Sequence, residues 1–279
     1  MTKRKRSPAA STPRSPHPGA AVWLFGTHAV ASAVANPNRT CRRLVATAAA
    51  VDTLSALMAA APVPRPRIDV VEPRELEALL PPGAVHQGLA AQAVPLSQPD
   101  LESLLHRLGP DAPCRLVVLD QASDPRNIGA VLRSAAAFGA AATIAQDRHA
   151  PAETGTLAKA ASGALEVVPM VAVTNVARAL DRLKLSGFWC LGLAAEADRP
   201  LSDLEPLPRV ALVIGAEGPG LRRLVRDRCD VLVHIPIRTG PSGLGVDSLN
   251  LSVAAAVALY ELARHDPSEG RRSAHGPGK

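Results

Sequence analysis

The sequence predicts an α/β protein in which a large carboxy-terminal parallel-sheet domain follows a small amino-terminal α/β domain. Three observations carry this expectation. From residue 115 onward, short apolar β-rich runs alternate with helical stretches, the pattern of a parallel sheet covered on both faces by helices. Two Gly/Pro-rich segments, Gly215-Ala-Glu-Gly-Pro-Gly220 and the stretch after Arg238, directly follow apolar runs, and ligands in such sheets bind beyond the carboxyl ends of the strands. A chain of 279 residues with 47% hydrophobic content is long enough for two cores.

Residues 1–20 read as a disordered basic arm. Lys3, Arg4, Lys5, Arg6 and Arg14, with no acid among them, carry most of the formal charge of +6. The body of the chain is therefore close to neutral, and composition alone argues only for a sticky arm. A solvated tail and an organelle transit peptide both fit it. Aromatic content of 2% leaves too few rings to stack several bases. Cys41, Cys114, Cys190 and Cys229 lie far apart without CxxC spacing, which suggests no zinc site, no disulfide framework and a reducing compartment. No apolar run reaches the roughly 18 residues of a membrane span, so a soluble, cytoplasmic protein is expected.

The first domain is expected over residues 21–97. Thr27 is placed to cap a helix through Ala35, Leu44 to Thr47 reads as a strand, Leu54 to Ala60 as a helix and Ile68 to Val71 as a strand. Pro73 starts a helix that includes Glu75 to Leu80, and Leu89 to Val94 is a further strand. Residues 98–113 read as a linker holding one short helix, Leu101 to Leu108. The second domain spans 114–265, with strands at Arg115 to Leu119, Ala142 to Ala145, Glu166 to Val168, Phe188 to Leu193, Val210 to Ile214 and Val231 to Ile235. Helices are expected at Ile128 to Phe138, Thr154 to Ala161, Asn175 to Leu185, Leu221 to Asp227 and Leu251 to Leu262. Residues 266–279 turn polar and read as a disordered tail.

Three motifs stand in loops that follow strands, and each has an ordinary explanation. Asn127 can cap the helix that carries Arg133, but Arg133 sits among Ala130, Val131, Leu132 and Ala135, where an unpaired guanidinium is costly. Gly215 to Gly220 permits close backbone approach. It is neither a GxGxxG fingerprint nor a phosphate loop, and Glu217 within it can simply favour a helix start. Capping explains either Ser248 or Asn250, but not both.

Taken in order, Asn127-x-Gly129-x-x-x-Arg133, Ile214-Gly-Ala-Glu-Gly218, and Ile235-Pro236 followed by Ser248-Leu-Asn-x-Ser252 resemble the three motifs of the SpoU, or TrmH-like, branch of the SPOUT RNA 2′-O-ribose methyltransferases. Upstream, Phe25-Gly-Thr-His-Ala-Val30, Asn36-Pro-Asn-Arg39 and His86-Gln-Gly88 resemble that family's substrate-binding domain. The resemblance is nearest to bacterial enzymes acting on a guanosine ribose of 23S ribosomal RNA. It implies S-adenosyl-L-methionine as methyl donor, RNA as partner, a homodimer, and a trefoil knot in the carboxy-terminal domain, a rare exception to unknotted topology. It also implies that Asn127, Arg133, Glu217, Ser248 and Asn250 form the reaction site and that Gly215, Ile235 and Leu249 contact the donor. Arg39, Arg42 and Arg43 are the basic cluster nearest to hand for RNA. The segment from Arg238 to Val246 is longer than the family pattern leads one to expect, and it carries no assignment. A tRNA or resistance-conferring enzyme, and a non-catalytic ribosome-assembly protein, are the alternatives.

Overall fold

The computed structural model describes residues 21–148, 153–238 and 248–264. The expected basic arm, the carboxy-terminal tail and almost all of the Arg238 to Val246 loop lie outside the described residues.

The first domain runs β1 (Val22–Phe25), α1 (Thr27–Ala35), β2 (Cys41–Ala46), α2 (Val51–Ala59), β3 (Ile68–Val70), α3 (Pro73–Ala78) and β4 (Leu89–Ala93). Its four strands form one sheet in the order β1-β4-β2-β3, antiparallel except for β2 beside β3. Strand β1 escaped the sequence reading because Val22-Trp-Leu-Phe25 is apolar throughout and shows no alternation that tells a strand from a helix. Gly26, rather than Thr27, occupies the α1 cap, without a side-chain bond. At α3, Glu72 and Glu75 form a reciprocal capping box ahead of Pro73.

The second domain continues with α4 (Leu101–Leu108), β5 (Cys114–Leu119), α5 (Pro125–Ala137), β6 (Ala140–Gln146), α6 (Gly155–Ala161), β7 (Met170–Val173), α7 (Val176–Leu185), β8 (Trp189–Leu193), β9 (Arg199–Pro200), β10 (Arg209–Ile214), α8 (Arg223–Arg226), β11 (Val231–His234) and α9 (Leu251–Arg264). All seven strands run parallel in the order β7-β6-β5-β10-β8-β11-β9. The expected strand Glu166 to Val168 is not one. A 3-10 turn occupies Ala164–Glu166, and the strand begins at Met170 after Pro169.

The central strands are buried on both sides, as a parallel sheet requires. Leu116, Val118, Ala211 and Val213 pack into one core with α4 and α7. Their alternates Val117, Leu119, Leu212 and Ile214 join a second core with α5, α6 and α9. Residues 98–113 therefore do more than connect. Asp100 caps α4 by accepting from Ser103 N at 2.7 Å, and Leu104 and Leu105 bury against the large sheet.

The second core does not stop at the domain boundary. It includes Leu24, Val30 and Leu44 of the first domain together with Ile128, Leu132 and Leu157 of the second. Helix α6 makes this contact possible: a Cβ on Gly155 would stand 2.3 Å from the carbonyl oxygen of Trp23. Only glycine admits strand β1 this closely.

Candidate functional site

At the carboxyl ends of β8, β10 and β11 lies a cleft of about 500 Å³, lined along three loops by Gly215 to Leu221, Val233 to Ile235 and Ser248 to Leu251. Gly215, Glu217, Ile235, Ser248, Leu249 and Asn250 all line it. The turn after β10 folds back on itself, with Gly220 N donating to the Ala216 carbonyl at 3.0 Å. A Cβ on Gly215 would meet the Gly220 backbone at 2.1 Å, so this position must be glycine for the turn to close.

Glu217 joins the three motifs. Its Oε1 accepts from Asn127 Nδ2 at 3.0 Å, Asn250 Nδ2 at 2.5 Å and Leu251 N at 3.4 Å. Asn250 Nδ2 also lies 3.2 Å from Asn127 Oδ1. The ordinary role expected for Asn127 is not the one found: Asp124 caps α5 by accepting from Arg126 N, which frees the Asn127 amide to reach Glu217. Asn250 does cap its helix, through Oδ1 to Ser252 N at 2.9 Å and Ser252 Oγ at 2.6 Å, and it still donates to Glu217. Ser248 is left for the cleft.

Arg133 departs from expectation. Its helix buries Ile128, Val131, Leu132 and Ala135, whereas Arg133 itself is exposed. The apolar neighbours in sequence point inward and the guanidinium points out, so no desolvation is being offset. The offset from Asn127 turns it roughly 120° around the helix. Arg133 does not line the cleft.

Sequence reading also missed a clamp beneath the turn. Asp120, fully buried at the end of β5, accepts from Arg222 N at 2.9 Å and from Arg222 Nε at 2.8 Å. Arg222 in turn donates to Gln146 Oε1 at 3.1 Å. This charge-assisted pair ties the end of the glycine turn to the neighbouring strands. An aspartate closing the apolar run Leu116 to Leu119 was the available signal. His234 was missed as well. It lines the cleft, and its Nδ1 is buried without a hydrogen bond to any described residue.

The basic cluster of the first domain is corrected in part. Arg39 is 1% exposed and paired with Glu153 and Glu166, so it cannot reach RNA from this position. Arg42 is exposed. Arg43 is exposed too, but it pairs with Asp69 at 2.8 Å and lies 5.8 Å from the centroid of the Trp23 ring.

With this geometry in hand, comparison with known proteins gives a consistent result. Residues 115–260 match the SpoU rRNA Methylase family, and residues 23–99 match the domain described as RNA 2'-O ribose methyltransferase substrate binding. The chain is 37% identical over 243 residues to the 23S rRNA (guanosine-2'-O-)-methyltransferase RlmB of Coxiella burnetii, covering 86% of this chain and 94% of that protein. It is 46% identical over 180 residues to the protein of the same name from Ralstonia nicotianae, covering 64% and 70%. The SpoU methyltransferase AviRb of Streptomyces viridochromogenes, solved in complex with AdoMet, shares the fold with a TM-score of 0.70 at 24% identity, over 88% of this chain and 90% of that one. The chain belongs to the SpoU rRNA methylase family.

Proposed function

We propose that this protein is an S-adenosylmethionine-dependent methyltransferase acting on a ribose 2′-oxygen of RNA, with a guanosine of 23S rRNA as its target. The observation that carries the reading is the convergence of Asn127, Glu217 and Asn250, from three separate motifs, at the mouth of one cleft. The cleft fits the donor in size and chemistry. About 500 Å³ of mixed polar and apolar lining suits a nucleoside-sized ligand, and the glycine turn offers backbone groups at close range. Gly215, Ile235 and Leu249 would hold it, with His234 presenting an unused nitrogen.

When bound, S-adenosylmethionine supplies an already activated methyl group, so the protein's task is alignment and exclusion of water. Glu217 fixes Asn127 and Asn250, which are oriented to hold the ribose edge. Ser248 lies beside them. Arg133 is read as binding an RNA phosphate and offsetting charge on the 2′-oxygen. A guanidinium is effectively a permanent cation, which disfavours a role as base, and the proton is read as leaving late, to solvent.

The exposure of Arg133 and its distance around α5 from Asn127 support a homodimer in which Arg133 serves the partner's cleft. Val253, Val257 and Tyr260, all exposed, form one face of α9 and supply an apolar surface for it. We read residues 21–97 as the RNA-binding domain, residues 114–265 as the catalytic domain containing a trefoil knot, and the protein as cytoplasmic. Among the described residues no helix is long and apolar enough to cross a membrane.

Mapping ribose methylation across total RNA from cells with and without the gene tests the whole reading. Loss of one 23S rRNA 2′-O-methylguanosine is expected. Loss of a tRNA mark would replace the substrate, and an unchanged map would remove the activity.

A further inference from the structure

Arg39 is fully buried, yet it stands in the first domain, between α1 and β2, and four of its five side-chain hydrogen bonds leave that domain. Nε donates to both oxygens of Glu166 at 3.1 Å, and Nη2 donates to Glu166 Oε1 at 2.6 Å. Nη1 donates to Glu153 Oε1 at 2.5 Å and to the Val94 carbonyl at 2.9 Å. The carboxylates are completed from the first domain and its exit: Asn36 Nδ2 donates to Glu166 Oε2 at 2.7 Å, and Leu96 N to Glu153 Oε2 at 3.0 Å.

The two glutamates bracket α6. Glu153 lies just before it and Glu166 in the 3-10 turn just after. Helix α6 packs on α5, which carries Asn127. A continuous path thus runs from the first domain, through Arg39 and both ends of α6, to the candidate site.

Stability alone is a poor reason for this arrangement. Replacing a buried ion cluster with apolar side chains is often neutral or favourable. Burial pushes the Glu153 carboxyl above the usual carboxylate range despite Arg39 beside it. Burial also opposes the charge on Arg39, but the hydrogen bonds and charges of Glu166 and Glu153 outweigh it and hold the guanidinium above its usual range. What a forked, charge-assisted cluster adds is direction. The rest of the interface sets small and apolar residues of α6 against β1 and α1, with one further polar contact from Lys159 to Gln87, and the buried, forked Arg39 cluster fixes the angle at which it seats.

We propose that Arg39, held by Glu153 and Glu166, is a positioning residue that sets the orientation of the first domain relative to the cleft and so delivers the RNA ribose to it. This rests on the RNA methyltransferase reading above.

The test uses full-length Arg39→Ala and Glu166→Gln, the second keeping the shape of the cluster in case the first does not fold. S-adenosylmethionine affinity is measured by calorimetry, KM for transcribed 23S rRNA by methyl transfer, and domain arrangement by small-angle scattering. Expected are donor affinity within about twofold of wild type, KM for RNA raised about tenfold in Arg39→Ala and severalfold in Glu166→Gln, and a larger radius of gyration for Arg39→Ala. A folded variant with wild-type KM for RNA overturns the proposal, and so does an equal loss of donor and RNA binding. If the wild type itself methylates no RNA, the functional reading fails. The scattering comparison then still decides whether Arg39 sets the domain angle, and unchanged scattering overturns that too.

Discussion

At the scale of single residues, the structure separates side chains that read alike in the sequence. Arg39 and Arg133 were both expected to meet RNA, yet one is buried among carboxylates and the other stands in solvent. Hydropathy of sequence neighbours misleads in both directions: Arg133 is exposed among apolar neighbours because successive helical side chains point different ways, whereas Arg39, among Asn36, Asn38 and Thr40, is buried by carboxylates far along the chain. The motif residues were legible because spacing, rather than environment, carried them. The cysteines give a direct test of local environment. Burial, followed by the negative charge of Asp230, pushes the Cys190 and Cys229 thiols up to about 12. A thiol raised in the folded state contributes stability that is fully present below its ordinary value, about 8.5, and is lost as pH climbs toward the raised one. At pH 8 the folded protein should therefore leave both unmodified by a thiolate-selective alkylating reagent over hours, as read by peptide mass mapping. Rapid labelling of either would show that its environment is wetter than the structure indicates.

At the scale of elements, the glycine turn after β10 is the piece on which donor binding depends. A methyl group at Gly215 has no room against the Gly220 backbone, and Arg222 anchors the far end of the turn on Asp120. Gly215→Ala is expected to abolish S-adenosylmethionine binding in calorimetry while the protein remains folded by circular dichroism. Arg222→Ala leaves the buried Asp120 carboxylate without its charged partner, a loss of about 1.5–3 kcal/mol for a hydrogen bond to a charged group. It should lower the melting temperature and weaken donor binding together. Wild-type affinity in both variants would dismiss the turn as the donor site. Most elements were readable from sequence, since Thr154 and Asn175 announce helix starts that the structure confirms. The exceptions are short. The two-residue β9 carries too few positions for any period, β1 is apolar throughout and shows no alternation, and the 3-10 turn at Ala164–Glu166 imitates a strand because Leu165, Val167 and Val168 are apolar.

At the scale of the whole molecule, the parallel sheet followed from alternating pattern, whereas the continuity of one core across both domains did not. Such contacts join residues more than a hundred positions apart, and nothing local encodes them. The proposed homodimer makes a prediction of its own. If Arg133 serves the partner's cleft, Arg133→Ala and Gly215→Ala chains, each inactive alone, should restore activity when refolded together. Random pairing would recover about a quarter of wild-type turnover, since half the dimers would hold one complete site. No recovery would mean that Arg133 acts within its own chain or that the protein works as a monomer. The placement of β10 beside β5, with Arg209 against Cys114, bears on how the chain is made. This central pairing closes a loop of roughly 95 residues, which makes it a slow step. The first domain completes its sheet at Ala93, long before Glu153 and Glu166 have been synthesised. A nascent first domain therefore carries Arg39 as a cation with nowhere to be buried, and it can assume its final form only when the second half of the chain arrives to receive that charge.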